Sequence, residues 1–153
     1  MADRQLYTNE AAFAKADDIK TALATSKVRL IDAALLPAPT AFTTRDELIA
    51  AECTFDGYTA GGYSITAFTG PANTAGGGAT LTGPVVNAAY GPAGAPPVTN
   101  SVGGWWLDDA SAPTPKVRLM GIFDPPRPMG SVGDFITMVV QIVEGRNPTP
   151  TSV

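Results

Sequence analysis

Asp134-Phe135-Ile136-Thr137-Met138-Val139-Val140-Gln141-Ile142-Val143-Glu144 is the last long apolar run of the 153-residue chain. In it Ile136, Met138, Val140 and Ile142 recur at every second position, while Thr137, Gln141 and Glu144 break up the remainder. Successive side chains of a strand point to opposite faces, so a period of two predicts a strand with one face turned inward. The run over 116–123 alternates too, with Val117, Leu119 and Phe123 set against Lys116 and Arg118, and predicts a half-buried partner strand. Between them lies Asp124-Pro125-Pro126-Arg127-Pro128-Met129-Gly130-Ser131-Val132-Gly133. Its prolines lack N–H donors and its glycines favour turns, so it is expected to join the two runs as a long antiparallel hairpin that floors the core.

Upstream, further strands are predicted over 27–32, 63–68, 79–82 and 101–109. The third is expected to continue over 85–88, past a kink or bulge at Gly83-Pro84. Helical spacing of Phe13, Ala16, Ile19, Ala22 and Leu23 predicts a thinly apolar helix over 8–24, capped by Thr8 or Asn9. Such a helix either lies over the sheet or reaches a neighbouring subunit. Thr44 stands three residues before Glu47, a capping-box spacing that predicts one or two helical turns ending near Ala51. The Gly- and Pro-rich stretches over 33–42, 71–78, 90–99 and 109–115 read as loops and turns. The resulting organisation is a helical arm over 1–26, an antiparallel β domain over 27–145 and a flexible tail over 146–153.

The totals agree with a mainly β, single-domain chain. Only 16% of residues are charged, whereas glycine and proline number 16 and 14, a composition of short strands and many stiff turns. A net charge of -4 with scattered basic residues argues against nucleic acid as a partner. No apolar run is long enough to cross a bilayer and no signal-like start is visible, so no membrane partner is expected and assembly in a cytoplasm is. Cys53 stands alone and is expected to be a small buried apolar side chain.

The chain has no histidine, which excludes Ser-His-Asp and Cys-His chemistry, and one cysteine cannot build a structural zinc site. The triple glycine at 76–78 lacks the Lys-Ser or Lys-Thr of a phosphate loop. Asp108-Asp109 beside Trp105-Trp106 superficially fits a sugar site, yet neighbours on a strand point apart, and the acids read better as a solvated turn. Of the adjacent tryptophans, one is expected in the core and the other outward or against another chain. No catalytic, metal-binding or cofactor-binding residue is assigned, no cofactor is implied, and an enzyme is the weakest reading.

Several of these units, taken in order, resemble a family. Val28-Arg29-Leu30-Ile31-Asp32, a proline-bearing loop, a Thr-led turn with Leu48 and Ala50-Ala51, and Phe55-Asp56-Gly57-Tyr58 resemble the front half of small virion proteins of tailed bacteriophages. Residues 103–109 resemble that family's Gly-aromatic-aromatic-x-Asp strand. Phe123-Asp124-Pro125-Pro126-Arg127-Pro128-Met129 followed by Gly133-Asp134-Phe135-Ile136 resembles its Pro-x-x-Met and Gly-Asp hairpin. The likeness spans roughly 26–143, with the loops over 71–78 and 91–97 matching least. It implies an antiparallel β-sandwich or jelly-roll-like domain that decorates or cements a capsid from outside. The implied partners are the major capsid protein and further copies of the chain. A glycan-binding knob of a head or tail appendage is the alternative. On the decoration reading the interface candidates are Leu6, Phe13, Ile19 and Leu23 of the amino-terminal segment, with Trp105 or Trp106 as anchor.

Overall fold

The computed structural model describes residues 9–36, 44–65, 67–73, 78–109 and 116–144. The expectations for Leu6, a Thr8 cap, the 37–42 part of the first loop, Gly76-Gly77, the turn over 110–115 and the tail over 146–153 lie outside the described residues. In chain order the elements are α1 (Asn9–Ala22), β1 (Lys27–Asp32), α2 (Arg45–Ala50), β2 (Tyr63–Ser64), β3 (Thr69–Asn73), β4 (Ala79–Ala89), β5 (Asn100–Asp109), β6 (Lys116–Met129) and β7 (Phe135–Glu144). They form two antiparallel sheets, β2-β1-β5-β6 and β3-β4-β7, packed as a β-sandwich.

The core between the sheets is built by the period of two. Val28, Leu30 and Leu107 of the first sheet pack with Leu81, Val86, Ala88, Ile136, Val140 and Ile142 of the second. Each fully buried aliphatic side chain here contributes about 1.5–3 kcal/mol. Helix α1 joins the same core, with Ala12 and Ala16 fully buried and Leu23 nearly so. Its small residues let it lie close over β3, β4 and β7, where Lys15 pairs with Glu144 at 3.1 Å and Lys20 donates to the Gly70 carbonyl at 2.9 Å. Residues 9–23 are therefore not a separate arm: the helix lies over the sheet, the first of its two expected arrangements. Helix α2 begins as its sequence dictates, with the Thr44 side chain accepting from the Glu47 amide and the Glu47 carboxylate accepting from the Thr44 amide.

Three expectations are corrected. The segment after Phe123 is not a hairpin connection, because β6 runs on through it to Met129 and pairs with β5, whereas β7 pairs with β4 in the other sheet. Prolines are tolerated there because β6 is the margin of its sheet, where half of the backbone donors have no ladder to serve. The chain then turns between sheets over 130–134, closed by Asp134, whose carboxylate accepts from the Gly130 and Ser131 amides at 2.9 and 2.8 Å. Second, the ladder slips between Leu107 and Asp108, so Val117 and Leu119 do not share a face. Val117 packs with Met120 beneath α2, while Phe123 packs on the main core. Third, the strand expected over 63–68 is only β2, and β3 occupies part of the predicted 71–78 loop. Ile65 and Phe68 are both buried at a spacing of three, which a single strand cannot provide; the chain is passing from one sheet to the other.

Candidate functional site

The first sheet carries a charged cluster on the face turned towards α2. Arg29 of β1 reaches Asp108 of β5 through Nε at 2.8 Å and Nη2 at 2.7 Å. Arg45, the first residue of α2, meets the same carboxylate with Nε on Oδ1 at 2.8 Å and Nη2 on Oδ2 at 3.0 Å. Arg29 also donates from Nη1 to Glu52 at 2.7 Å, and the other Glu52 oxygen accepts from the Tyr58 hydroxyl at 2.6 Å and the Gly61 amide at 2.8 Å. Two guanidiniums thus balance two carboxylates. Asp108 has no exposed surface. Burial pushes its carboxyl up, but the hydrogen bonds and charges of Arg45 and Arg29 outweigh that and hold it below the ordinary carboxylate range. The solvated turn expected for Asp108-Asp109 is therefore corrected: both acids are buried, and Asp108 is committed to tying α2, β1 and β5 together.

The motif Phe55-Asp56-Gly57-Tyr58 has a task for each residue. Phe55 is core, and Asp56 fastens the Gly- and Pro-rich loop by accepting from the Gly94 and Val98 amides at 2.7 and 2.9 Å. Those bonds, Gly94 first, hold its carboxyl below the ordinary range. Gly57 has φ +93°, and a β-carbon there would stand 2.6 Å from the Gly91 carbonyl oxygen. Tyr58 closes on Glu52. Cys53 is buried as expected, its thiol pushed up to about 12 by burial first and then by Asp32 and Glu52.

The interface candidates divide. Trp106 has no exposed surface and sits under α2 against Ile31, Leu48 and Ala51, with the Arg29 guanidinium 5.3 Å from its ring centroid. Trp105 points to the opposite face, half-buried on the main core, its indole lying over Gly121 of the neighbouring strand, where any side chain would collide with the ring. Closed in by α2, Trp106 has no surface with which to anchor a partner, whereas Trp105 keeps part of its ring exposed beside the main core. Leu23 is likewise consumed by the core. Phe13 and Ile19 are half-buried against it, and Ile19 and Leu23 line a cavity of about 380 Å³ shared with Leu119, Ile142 and Val143. Leu6 lies outside the described residues. Of the groups expected to hold a sugar, Trp106 and Asp108 have no accessible surface and Trp105 alone keeps part of its ring exposed.

The accessible apolar surface is elsewhere, on the outer face of the second sheet. β7 shows Phe135, Thr137, Val139, Gln141 and Val143 outward, and these pair across β4 with Ala89, Asn87, Val85, Thr82 and Thr80. Phe135 is 72% exposed, Val85 58%, Val139 44% and Val143 42%. Across β3, β4 and β7 Glu144 is the one charged residue. A solvent-facing sheet ordinarily alternates apolar with polar or charged positions, so an uncharged outer face with exposed Phe and Val marks a surface suited to being covered. The signal is in the sequence: β7 is apolar at positions of both parities. Among the described residues no three metal-ligating side chains converge. Comparison with protein-family models, with curated proteins and with solved structures found no match to this chain.

Proposed function

We propose that this chain is a structural protein of a tailed-phage particle, bound to the outside of the capsid as a decoration or cement protein, with the major capsid protein and its own copies as partners. The outer face of β3-β4-β7 carries this reading: a broad, uncharged sheet surface with Phe135 and Val139 exposed is built to be covered by protein. The order of sequence units shared with small virion proteins supplies the kind of partner. Such a protein stabilises a shell by mass action, because it binds the assembled lattice and not the dissociated subunits. The internal arrangement suits that role. The Asp108 cluster and the Asp56 staple fix loops and helix rigidly, so little ordering entropy remains to be lost on docking.

Antibody-gold labelling of intact particles, with copy number from quantitative mass spectrometry, tests the reading directly. Label over the whole head with hundreds of copies is expected; label confined to one vertex or to the tail would overturn it in favour of an appendage. The face itself is tested by Phe135→Asp. Burying an unpaired carboxylate in the contact is expected to lower occupancy on particles at least about tenfold, equivalent to ~1.4 kcal/mol. Because the side chain is mostly exposed, the melting temperature should stay close to that of the native chain. Undiminished occupancy would remove this face from the shell contact.

A further inference from the structure

We propose that β7 pairs antiparallel with β7 of a second copy, centred on Val139, joining two three-stranded sheets into one six-stranded sheet about a two-fold axis. β7 is the margin of its sheet: it pairs with β4 on one side, and among the described residues no strand pairs with the other. Margins of sheets are normally blunted by proline, lysine, bulges or shortness, because unpaired backbone groups are a template for another chain. The other margins here are blunted in those ways. β6 carries Pro125, Pro126 and Pro128, and its ladder breaks so that residues 123–126 stand opposite Gly103. β2 has two residues, and β3 has Pro71 and a register shift. β7 has ten residues with no proline, lysine, arginine or glycine, and the irregularity in its ladder lies on β4, between Thr82 and Val85.

The strand is also complementary to itself in one register. Residues directly opposite in an antiparallel pair share a face, so a two-fold centred on Val139 sets Phe135 across Val143 and Thr137 across Gln141 on the outer face. On the inner face the same register sets Ile136 across Ile142 and Met138 across Val140. Apolar meets apolar and polar meets polar at every one of these positions. Centring on Met138 instead puts Phe135 across Gln141 and Asp134 across Ile142, and centring on Val140 puts Ile136 across Glu144. The hydrophobic pattern thus selects the Val139 register. At its ends Asp134 comes opposite Glu144, but each is already engaged, Asp134 by the Gly130 and Ser131 amides and Glu144 by Lys15. A closed, isologous pair of this kind leaves no further β7 margin exposed and so does not propagate. It also makes the two uncharged outer faces continuous on one side of the joined sheet. This inference concerns the free protein and does not depend on what that face binds.

The test is made on the purified full chain without particles. Sedimentation at ~100 μM, where a pair of micromolar Kd is largely formed, should give twice the mass of one chain. Val139→Lys, which sets two like charges opposite each other at an outward position, should return the chain to a single-copy mass, with a melting temperature matching that of the native chain at dilutions where the pair has dissociated. Val139→Cys places the two thiols within disulfide reach across the axis, and mild oxidation should convert most of the chain to a covalent pair. Thr137→Cys should not cross-link, because its own counterpart lies about four residues, or ~14 Å, along the ladder. Cys53 does not compete, being buried with its thiol pushed up to about 12. A native chain of single-copy mass overturns the proposal. So does a pair that survives Val139→Lys, or equal cross-linking of the two cysteine variants.

Discussion

Asp108→Ala is expected to cost about 3–5 kcal/mol of folding stability, read as a lower urea midpoint at neutral pH. The size follows from what the substitution leaves behind rather than from the worth of one ion pair. Arg29 and Arg45 both direct donors at this carboxylate, and without it Arg29 keeps only its pairing with Glu52, while Arg45 keeps the weaker attraction of Asp46 and Glu52. Arg45→Met should cost clearly less, because Arg45 is partly exposed and its removal leaves Asp108 paired with Arg29. The deficit of Asp108→Ala should persist in ~1 M salt, since screening acts weakly on pairs withdrawn from solvent. Its pH dependence has a definite sign. The folded carboxyl titrates below its unfolded counterpart, near 3.9 for a free aspartate, so the stabilisation is fully present above that value. It is lost as pH falls through the lower folded value, and the native and Asp108→Ala stabilities should converge there. A cost under about 1 kcal/mol at neutral pH would mean that water, not the arginines, satisfies this carboxylate.

This cluster marks the boundary of what was legible in the sequence. Local signals carry far: the Thr44–Glu47 spacing specifies the α2 cap, and the alternation of Ile136, Met138, Val140 and Ile142 specifies the inward face of β7. The Gly83-Pro84 bulge in β4 follows from glycine and proline chemistry at one point in the chain. Asp108-Asp109 reads as a solvated turn because its arginine partners are 79 and 63 residues away, and sequence adjacency says nothing of what a sheet brings alongside. The proline-rich segment of β6 reads as a hairpin connection because its tolerance of proline depends on being the margin of a sheet, a property of the assembled fold. The outer face of the second sheet lies between these cases. Thr137 and Gln141 make it look polar, yet Phe135, Val139 and Val143 are present in the same alternation, and only the sheet shows that Val85 and Ala89 extend them.

Trp106→Ala carries the second large effect, about 3–5 kcal/mol, the range for truncating a buried aromatic. Trp106 lies between the outer face of the first sheet and α2, touching Ile31, Leu48 and Ala51, with Leu36, Val117 and Met120 at the margin. This small cluster is separate from the main core, and its loss removes most of what holds α2 against the sheet. The residual Asp108–Arg45 contact then stands in a wetter pocket, where it is worth less, so Trp106→Ala and Asp108→Ala should be less than additive. The indole Nε1 is buried and has no hydrogen-bond partner among the described residues, which separates the ring's packing from its polarity. Trp106→Phe removes that N–H and keeps most of the apolar body and the Arg29 stacking partner, so it should cost well under half of the alanine change. Fluorescence gives an independent check. Trp105→Phe leaves the fully buried ring as sole emitter and should shift emission to shorter wavelength than Trp106→Phe, which leaves the half-buried one. If Trp106→Ala cost no more than Trp105→Ala, α2 would be held by the ion pairs alone, and the Asp108 effect would have to grow accordingly.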